Sequence, residues 1–438
     1  MTEEAERIHA IRQSLPETGL FAEKTWRLSP EPFPIPKADL KFLQRLGPLL
    51  QRFIETCNLA YFRSLKGSLP GWIAAYLDGG KPADLLELAR SGKTRDQIPQ
   101  IIRPDLILTE TGFALTELDN VPGGIGLTAW LNEVYSQWDP DKRLVGGPSG
   151  MLEGFRRAIG DSADIIVSDE SGDYRPEMQW VADRLHRMFP EGDWACLPAE
   201  GYTSRGKNIY RFLELFDLDN IPGMDTLTTG AAAGEETVSP PFKPFLEEKL
   251  WLALFHLRPL RSFWERELRS SGLALLESII PYSWIIDPAP LPHHAVLPRL
   301  GLQSWEELKE MTQKERQLVL KISGFSEQAW GSRSVKIGQD LSQKEWGEAV
   351  DHAINSFPQA PYVMQEFHKG KLVEHPYWDE SEGRMKMMKG RVRLCPYYLP
   401  GDNGKAALSG VLATICPSDK KVLHGMSDAI LVPCCLEK

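Results

Sequence analysis

The stretch RPDLILTETGFALTELD, residues 103 to 119, places charged side chains inside an otherwise apolar segment. The pattern predicts two antiparallel strands joined by a tight turn at Glu110-Thr111-Gly112. Gly112 suits the left-handed backbone position that such turns often need. Both faces of the predicted hairpin carry apolar residues, so we expect both faces to be covered and the charges to have a function.

The charged residues of this hairpin are predicted to share one face. With the turn centred on Thr111, Arg103 lies opposite Asp119 and Asp105 lies opposite Glu117, because side chains alternate between faces along a strand. A bulge at Gly112 would shift this register by one residue and spoil the pairing. Opposed carboxylates repel unless a cation lies between them. Three carboxylates beside an arginine suit Mg²⁺ together with a phosphate, whereas a simpler interpretation is a hairpin whose polar side chains face water.

Length and composition exclude several classes of protein. The chain has 438 residues, enough for two or three domains or subdomains, and a net charge of −10. That charge argues against a broad nucleic-acid footprint and against attraction to anionic lipid. The start, MTEEAERIHAIRQSL, is not a secretory signal, and no segment approaches the roughly 20 apolar residues of a membrane helix. The six cysteines show neither metal-site spacing nor a disulfide ladder, so we expect a cytoplasmic protein without nucleic-acid or membrane partners.

Periodicity divides the chain into four predicted regions. Residues 1–100 carry apolar residues at helical spacing and are predicted to be mainly helical. Residues 101–150 contain the hairpin and a helix that begins near Thr128. Residues 151–240 alternate strand, helix and strand, which predicts an open parallel α/β sheet. Residues 241–438 begin with helices and continue as strands that predict one antiparallel sheet.

The last region has the residue types of a phosphate site. Lys321 lies late in the apolar strand QLVLKISG, and the glycine- and serine-containing loop FSEQAWGSRSVKIG follows it. A fixed lysine charge can clamp phosphates when loop residues such as Gly331, Ser332 and Ser334 let backbone amides approach the oxygens. Further along, backbone groups of residues 365–367 in PYVMQEF could meet an adenine ring. Each feature is weak by itself, since a single strand lysine is usually a surface residue.

The order of these pieces resembles the circularly permuted ATP-grasp ligases, the family of glutathionylspermidine synthetase. In that family the metal hairpin reads Arg-x-Asp, then eleven residues, then Glu-x-Asn. Here Arg103-Pro104-Asp105 is followed by residues 106–116 and then by Glu117-Leu118-Asp119, with the same spacing. Asp119 stands where the family commonly has asparagine, which keeps a metal-binding oxygen and adds negative charge. The resemblance covers roughly residues 100 to 438.

The resemblance implies a fold and a metal site. The fold would be α/β, a circularly permuted ATP-grasp core with an open α/β pre-ATP-grasp-like domain and an antiparallel C-terminal sheet. Asp105, Glu117 and Asp119 would hold one or two Mg²⁺ ions. Arg103 would be catalytic, stabilising the transferring phosphate or the acyl-phosphate.

The resemblance also implies which residues bind ATP. Lys321 would bind the α- and β-phosphates, and a loop from Trp330 to Val335 would close over the triphosphate. Lys249, in EEKLWLALF, is the candidate for the second lysine that ATP-grasp enzymes usually have. The residues assigned to ATP are Lys249, Lys321, Gly331, Ser332, Arg333, Ser334, Gln365, Glu366 and Phe367.

The activity that this resemblance implies is that of an ATP-dependent ligase. A substrate carboxylate would be activated by ATP and Mg²⁺ as an acyl-phosphate and then attacked by an amine, on small substrates of the amino acid, peptide or polyamine type. Two alternatives stay open: a nucleotide-binding regulator or scaffold that has lost ligation, and a phosphotransferase on the same fold. The intact acidic set counts against the regulator. The sequence specifies neither the two substrates nor the general base nor an oligomeric state.

Overall fold

The computed structural model describes residues 2–16, 25–138, 143–329, 334–425 and 427–437. The chain divides into two units, and each is built from segments far apart in sequence. The first unit comprises Met1–Arg52, Ser91–Phe242 and Lys369–Lys438, and the second comprises Phe53–Arg90 and Lys243–His368. The division into four sequence regions stays a prediction about domain organisation.

Strands are numbered along the chain. They are β1 (Phe33–Ile35), β2 (Arg103–Thr109), β3 (Gly112–Asp119), β4 (Ser162–Val167), β5 (Asp193–Pro198), β6 (Asn208–Phe212), β7 (Val238–Ser239), β8 (Ser283–Ile285), β9 (Leu318–Ile322), β10 (Lys336–Ile337), β11 (Tyr362–Glu366), β12 (Leu372–Asp379), β13 (Arg384–Pro400), β14 (Ala406–Pro417) and β15 (Ile430–Leu436).

The α-helices are numbered in the same way. They are α1 (Glu3–Ser14), α2 (Lys37–Leu65), α3 (Trp72–Asp78), α4 (Ala83–Arg90), α5 (Ile125–Trp138), α6 (Gly150–Ile159), α7 (Arg175–Met188), α8 (Met224–Ala233), α9 (Leu250–Leu254), α10 (Arg261–Ile279) and α11 (Gln343–Asn355).

The described part of the first hundred residues is mainly helical, as the spacing of apolar residues predicts. In α2, for example, Leu43, Leu46 and Leu50 recur every three or four positions and are all fully buried. Within the described residues, no helix is long and apolar enough to cross a membrane.

The open α/β sheet predicted in the middle of the chain is confirmed. Its four strands are all parallel, in the order β5-β4-β6-β7. The central strand β4 is buried from residue 163 onward, and apolar there apart from Asp164, because a parallel sheet is covered on both faces. Helix α7 crosses between β4 and β5 and buries Met178, Val181 and Leu185, the stripe that its helical period places on one side.

The largest sheet of the first unit has seven strands. Its order is β1-β15-β14-β13-β2-β3, and β12 pairs with a different part of the long strand β13. The hairpin β2–β3 joins this sheet through β13, where Arg393 pairs with Ile107 and Leu394 pairs with Leu106. The metal-type hairpin is therefore part of the same sheet as strands that follow it by almost three hundred residues.

The prediction of one antiparallel C-terminal sheet is wrong, because these strands divide between two sheets. In the second unit, β9 and β11 pair with β10 and β8 in the antiparallel order β10-β9-β11-β8. Strands β12 to β15 belong to the seven-stranded sheet of the first unit. Strand β11 has partners along both edges, so it offers no edge to β12. Alternating apolar residues predict strands, but they do not specify which strands pair.

Helix α5 begins at Ile125 rather than near Thr128. The carboxylate of Glu177 accepts hydrogen bonds from the backbone amides of Gly126 and Leu127, at 2.7 and 3.1 Å. These amides are free donors in the first turn of any helix, and a carboxylate from elsewhere in the chain satisfies them here. Glu177 is fully buried, so the start of this helix depends on a distant residue that local sequence does not reveal.

Candidate functional site

The predicted pairing of the charged hairpin residues is confirmed. Arg103 lies opposite Asp119, and Asp105 lies opposite Glu117, in the antiparallel ladder of β2 and β3. The four side chains therefore leave the same face of the hairpin. The spacing predicts these two pairs correctly, although it does not predict the turn and the bulge that produce them.

The turn reaches that register by a different route from the predicted one. Thr109 pairs with Gly112, so only Glu110 and Thr111 form the turn, and Gly112 has a φ of 133°. This shorter turn shifts the ladder by one residue. A bulge with Thr116 as its extra residue then shifts the ladder back before Asp105 is reached. The bulge thus restores the pairing that a single shift would have spoiled.

Two arginines enclose the carboxylate of Asp105. Arg103 lies 3.1 Å from one of its oxygens through Nε, and Arg393 donates to the other through Nη1 at 2.9 Å. Arg103 also lies 2.9 Å from a carboxylate oxygen of Asp119 through Nη2. The thiol of Cys395 donates to Asp105 at 3.4 Å. The structure therefore brings Arg103, Asp105 and Asp119 together, and it adds Arg393.

Sequence reasoning missed Arg393. The signal was present, since GRVRLCPYYL places Arg393 between Val392 and Leu394 in a strand that is otherwise apolar from that point. Nothing in the sequence says that this strand pairs with the hairpin, and that pairing gives Arg393 its partner. The same applies to Tyr397, whose hydroxyl donates to the carbonyl of Gly123 at 2.7 Å. Arg103 donates to the same carbonyl through Nη1 at 3.2 Å.

The two aspartates differ in acidity. Burial alone would raise the pKa of Asp105, but the charges of Arg103 and Arg393 outweigh it and hold that pKa below its ordinary value. Burial raises the pKa of Asp119, and the charge of Glu117 adds to this, so that the single arginine beside Asp119 does not offset them. The surroundings of Asp119 thus disfavour the ionised form of its carboxyl group.

Of the three predicted metal ligands, Glu117 and Asp119 fit Mg²⁺ better than Asp105. A cation near Asp119 would relieve the repulsion from Glu117, and the Asp119 side chain is 29 % exposed, which leaves room for one. The Asp105 side chain is 7 % exposed, and both of its oxygens already have donors. In the described part of the chain, no three His, Cys, Asp or Glu side chains are grouped as metal ligands. Two carboxylates suffice in sites where phosphate and water supply the other ligands of Mg²⁺.

The second unit contains the predicted phosphate lysine. Lys321 is buried late in β9, and its ammonium group donates to the side-chain oxygen of Gln365 at 2.9 Å. The Gln365 amide in turn donates to Ser283 Oγ at 3.1 Å. Lys321 is thus not the surface residue of the simpler interpretation, and it meets a residue that was assigned to the same ligand.

The other predicted lysine comes to the same end of β9. The backbone amide of Lys249 donates to the carbonyl of Ser323, two residues beyond Lys321, at 3.1 Å. Ser334 also lies here, because its hydroxyl accepts a hydrogen bond from the Ile322 amide at 3.3 Å. The structure therefore gathers Lys249, Lys321 and Ser334 around one strand end. Most of the loop that is predicted to close over the triphosphate lies outside the described residues, namely Trp330, Gly331, Ser332 and Arg333.

The segment predicted to bind adenine, residues 365–367, offers fewer backbone donors than expected. The amide of Glu366 donates to the carbonyl of Tyr282, and the amide of Phe367 donates to the carbonyl of Gln317, both at 2.9 Å. These two donors are engaged within the protein. The Glu366 side chain pairs with Arg299, at 3.0 and 3.2 Å from its two oxygens. The roles of Gln365, Glu366 and Phe367 toward adenine stay predictions.

Comparison with known proteins gives a fold relationship. No protein-family model matches the chain, and no curated protein matches it in sequence. Among solved structures, the chain is similar to the glutathione synthetase-like effector from Globodera pallida in its apo form, with a TM-score of 0.54 and 9 % identity. The match covers 99 % of this chain and 97 % of that one. A protein from Methylobacillus flagellatus KT, provisionally described as a gamma-glutamylcysteine synthetase, matches with a TM-score of 0.38, 12 % identity and coverage of 87 % and 86 %. The chain therefore has a mixed α/β fold similar, over nearly its whole length, to that of a glutathione synthetase-like effector.

Proposed function

We propose that this protein is an ATP-dependent carboxylate–amine ligase of the circularly permuted ATP-grasp type, with ATP and Mg²⁺ as its nucleotide and metal. The observation that carries the proposal is the hairpin register, which sets Arg103 against Asp119 and Asp105 against Glu117 at the spacing of that family. The gathering of Lys249, Lys321 and Ser334 at the end of β9 supports a nucleotide site. The fold similarity to a glutathione synthetase-like effector supports the same class of activity.

In this proposal the hairpin handles the reacting phosphate. Glu117 and Asp119 hold Mg²⁺, which when bound would neutralise phosphate charge that repels an incoming carboxylate. Arg103 stabilises the negative charge of the transferring phosphate and of the acyl-phosphate. Asp105 orients Arg103 and Arg393 through its two oxygens and serves as an anchor for the arginines rather than as a third metal ligand.

In the second unit, lysine charges bind the nucleotide. Lys321 and Lys249 supply positive charge to the phosphates, and Gln365 orients the Lys321 ammonium group. The carboxylate substrate attacks the γ-phosphorus and ADP leaves. The amine then attacks the acyl carbon, and inorganic phosphate leaves as the amide bond forms.

The experiment is a turnover assay with pooled substrates. Purified protein is incubated with ATP, Mg²⁺ and pools of amino acids, amines and small peptides, and both ADP release and new products are followed by mass spectrometry. Substrate-dependent ADP release with a new amide product is the expected result. Omission of single pool members then identifies the two substrates. A stable phosphorylated product without an amide would show that the activity is phosphotransfer and not ligation.

A second candidate is a nucleotide-binding regulator without ligase activity. The engagement of Asp105 by two arginines and a thiol favours it, because this carboxylate is then used to hold protein groups. The fold similarity to a protein named as an effector is compatible with it. Tight ATP binding with no ADP release from any pool would support this candidate and would contradict the ligase.

A further inference from the structure

Next to the two predicted ATP lysines lies an ion pair that is fully buried. Lys81 and Glu248 are in the second unit, with Nζ 2.5 Å from Oε1 and side chains that are 0 % and 1 % exposed. Burying two charges costs free energy that their attraction often fails to repay, so such a pair is poor evidence of stabilisation alone. It is more informative as a device that fixes the position of neighbouring groups.

The pair is connected to the end of β9 through Ser323. The Ser323 hydroxyl donates to the second carboxylate oxygen of Glu248 and accepts from the Leu250 amide, the latter at 2.9 Å. The Ser323 carbonyl accepts from the Lys249 amide at 3.1 Å. Glu248 therefore directly precedes Lys249 in the chain. Its hydrogen-bond partner Ser323 follows Lys321 by two residues.

The two residues after Ser323 are fitted to the same pair. A Cβ on Gly324 would lie 2.9 Å from the carbonyl of Glu247 and about 3.0 Å from the Glu248 carboxylate, so the backbone approaches closely here. Phe325 has a φ of 38°, which is unusual for a residue other than glycine. Its ring lies 5.4 Å from the Lys81 ammonium, within cation–π range. The start of the predicted phosphate loop is thus held by Lys81 and Glu248.

We infer that Lys81 and Glu248 are positioning residues that set the backbone and side chains of Lys249 and Lys321 for the phosphates of ATP. The inference rests on the proposed nucleotide site and adds to it a role for the predicted helical N-terminal region, which supplies Lys81. Neither residue needs to touch the nucleotide. Their effect is specific to phosphate binding, because Lys249 and Lys321 would contact the phosphates of ATP and not its base.

The test compares adenine ligands that differ in phosphate number. The double variant Lys81→Met/Glu248→Leu removes both charges together, because a single change would leave one buried charge without its partner. Calorimetric titration with ATP, ADP and adenosine is expected to show about tenfold weaker binding of ATP and ADP and nearly unchanged binding of adenosine, which has no phosphate; the loss is about that of one charge-assisted hydrogen bond. A role limited to stability would lower the melting temperature without this dependence on phosphates.

Two further variants keep the test decisive. Lys309→Ala/Asp351→Ala removes an exposed ion pair of the same unit, 2.7 Å between Nζ and Oδ1, and is expected to leave all three affinities unchanged. Ser323→Ala keeps the Lys81–Glu248 pair and cuts its link to the loop, so it decides the question where the double variant does not fold. Unchanged ATP affinity in a folded double variant, or in Ser323→Ala, overturns the inference alone. Absence of ATP binding by the wild-type protein overturns the proposed function as well.

Discussion

Two groups of ion pairs in this protein differ in their exposure to solvent. In the hairpin group, the side chains of Arg103, Asp105, Asp119 and Arg393 are between 7 and 29 % exposed. The Lys81–Glu248 pair of the second unit is 1 % exposed or less. Charges that keep some contact with solvent can exchange partners when a ligand arrives, whereas fully buried charges can only hold what surrounds them.

The difference separates residues that would meet a substrate from residues that would support a site. Changes in the hairpin group should affect chemistry more than stability, and changes in the buried pair should affect stability and phosphate affinity. The expected effects range from a loss of turnover, through changes in stability and its pH dependence, to a small change in ATP affinity.

The largest effect is expected for Glu117→Gln and Lys321→Ala, which remove a metal ligand and a phosphate charge in the proposed mechanism. We expect each to lower ligase turnover about a thousandfold or more while circular dichroism stays close to wild type. Lys321→Ala should also lower the melting temperature, because it leaves the buried Gln365 oxygen without its donor. The assay is ADP release with the substrates found in the pooled screen.

Exposed residues of the same units serve as matched controls for these two changes. Glu110→Gln alters the hairpin turn, and Lys344→Ala alters a position of α11 whose side chain is exposed. Both should keep nearly full turnover. Near-normal turnover in Glu117→Gln and Lys321→Ala would remove the hairpin and β9 from the mechanism.

The next largest effect concerns stability. Lys81→Met leaves Glu248 buried without its cation, so we expect a loss of about 3–5 kcal/mol in the free energy of unfolding. Asp119→Asn breaks a partly exposed pair but also removes a charge that its surroundings disfavour, so it should change stability by about 1 kcal/mol or less in either direction. Urea denaturation followed by tryptophan fluorescence measures both. Equal losses in the two variants would show that exposure does not separate the groups.

The third effect is a pH dependence with opposite signs at the two aspartates. The pKa of Asp105 is lowered by folding, so its contribution to stability is present above its unfolded pKa, near 3.8, and is lost as the pH falls through the folded pKa. The pKa of Asp119 is raised, so the folded state binds its proton more readily and stability falls as the pH rises from near 3.8 through that raised pKa.

Variants separate these two contributions. Asp105→Asn should flatten the rise of the unfolding free energy at the acidic end, and Asp119→Asn should flatten the fall above pH 3.8. Denaturation curves collected from roughly pH 2.5 to 6 give the slopes. Two variants whose curves run parallel to the wild type would contradict the assignment of both shifts.

The smallest effect is expected at residues 365–367, the segment predicted to bind adenine. The Glu366 side chain pairs with Arg299, whose own side chain is 57 % exposed, and such pairs contribute about 1 kcal/mol or less. Glu366→Gln should therefore change stability little and ATP affinity by less than about threefold. A large loss of ATP affinity, measured by calorimetry, would show that this carboxylate acts on the nucleotide directly.

Features formed by residues close together in the chain could be predicted from the sequence, whereas contacts between distant residues could not. The hairpin was predictable because its strands are joined by a two-residue turn, and the open sheet because each strand has its own apolar run and intervening helix. The division of the C-terminal strands between two sheets was not, because pairing depends on partners far away in the chain. The bulge at Thr116 was also missed, although it decided whether the register held.

The sequence by itself determined the local elements and which charged side chains share a face of each strand, Arg103 with Asp105 and Glu117 with Asp119, since the period of a strand acts over a few residues. Only the tertiary structure decided which groups those charges meet. Arg393 reaches Asp105 across 288 positions, and Lys81 reaches Glu248 across 167. Burial and partner charge set the acidity of Asp105, and complete burial makes the Lys81–Glu248 pair costly to break. Both effects depend on three-dimensional packing that no local pattern encodes.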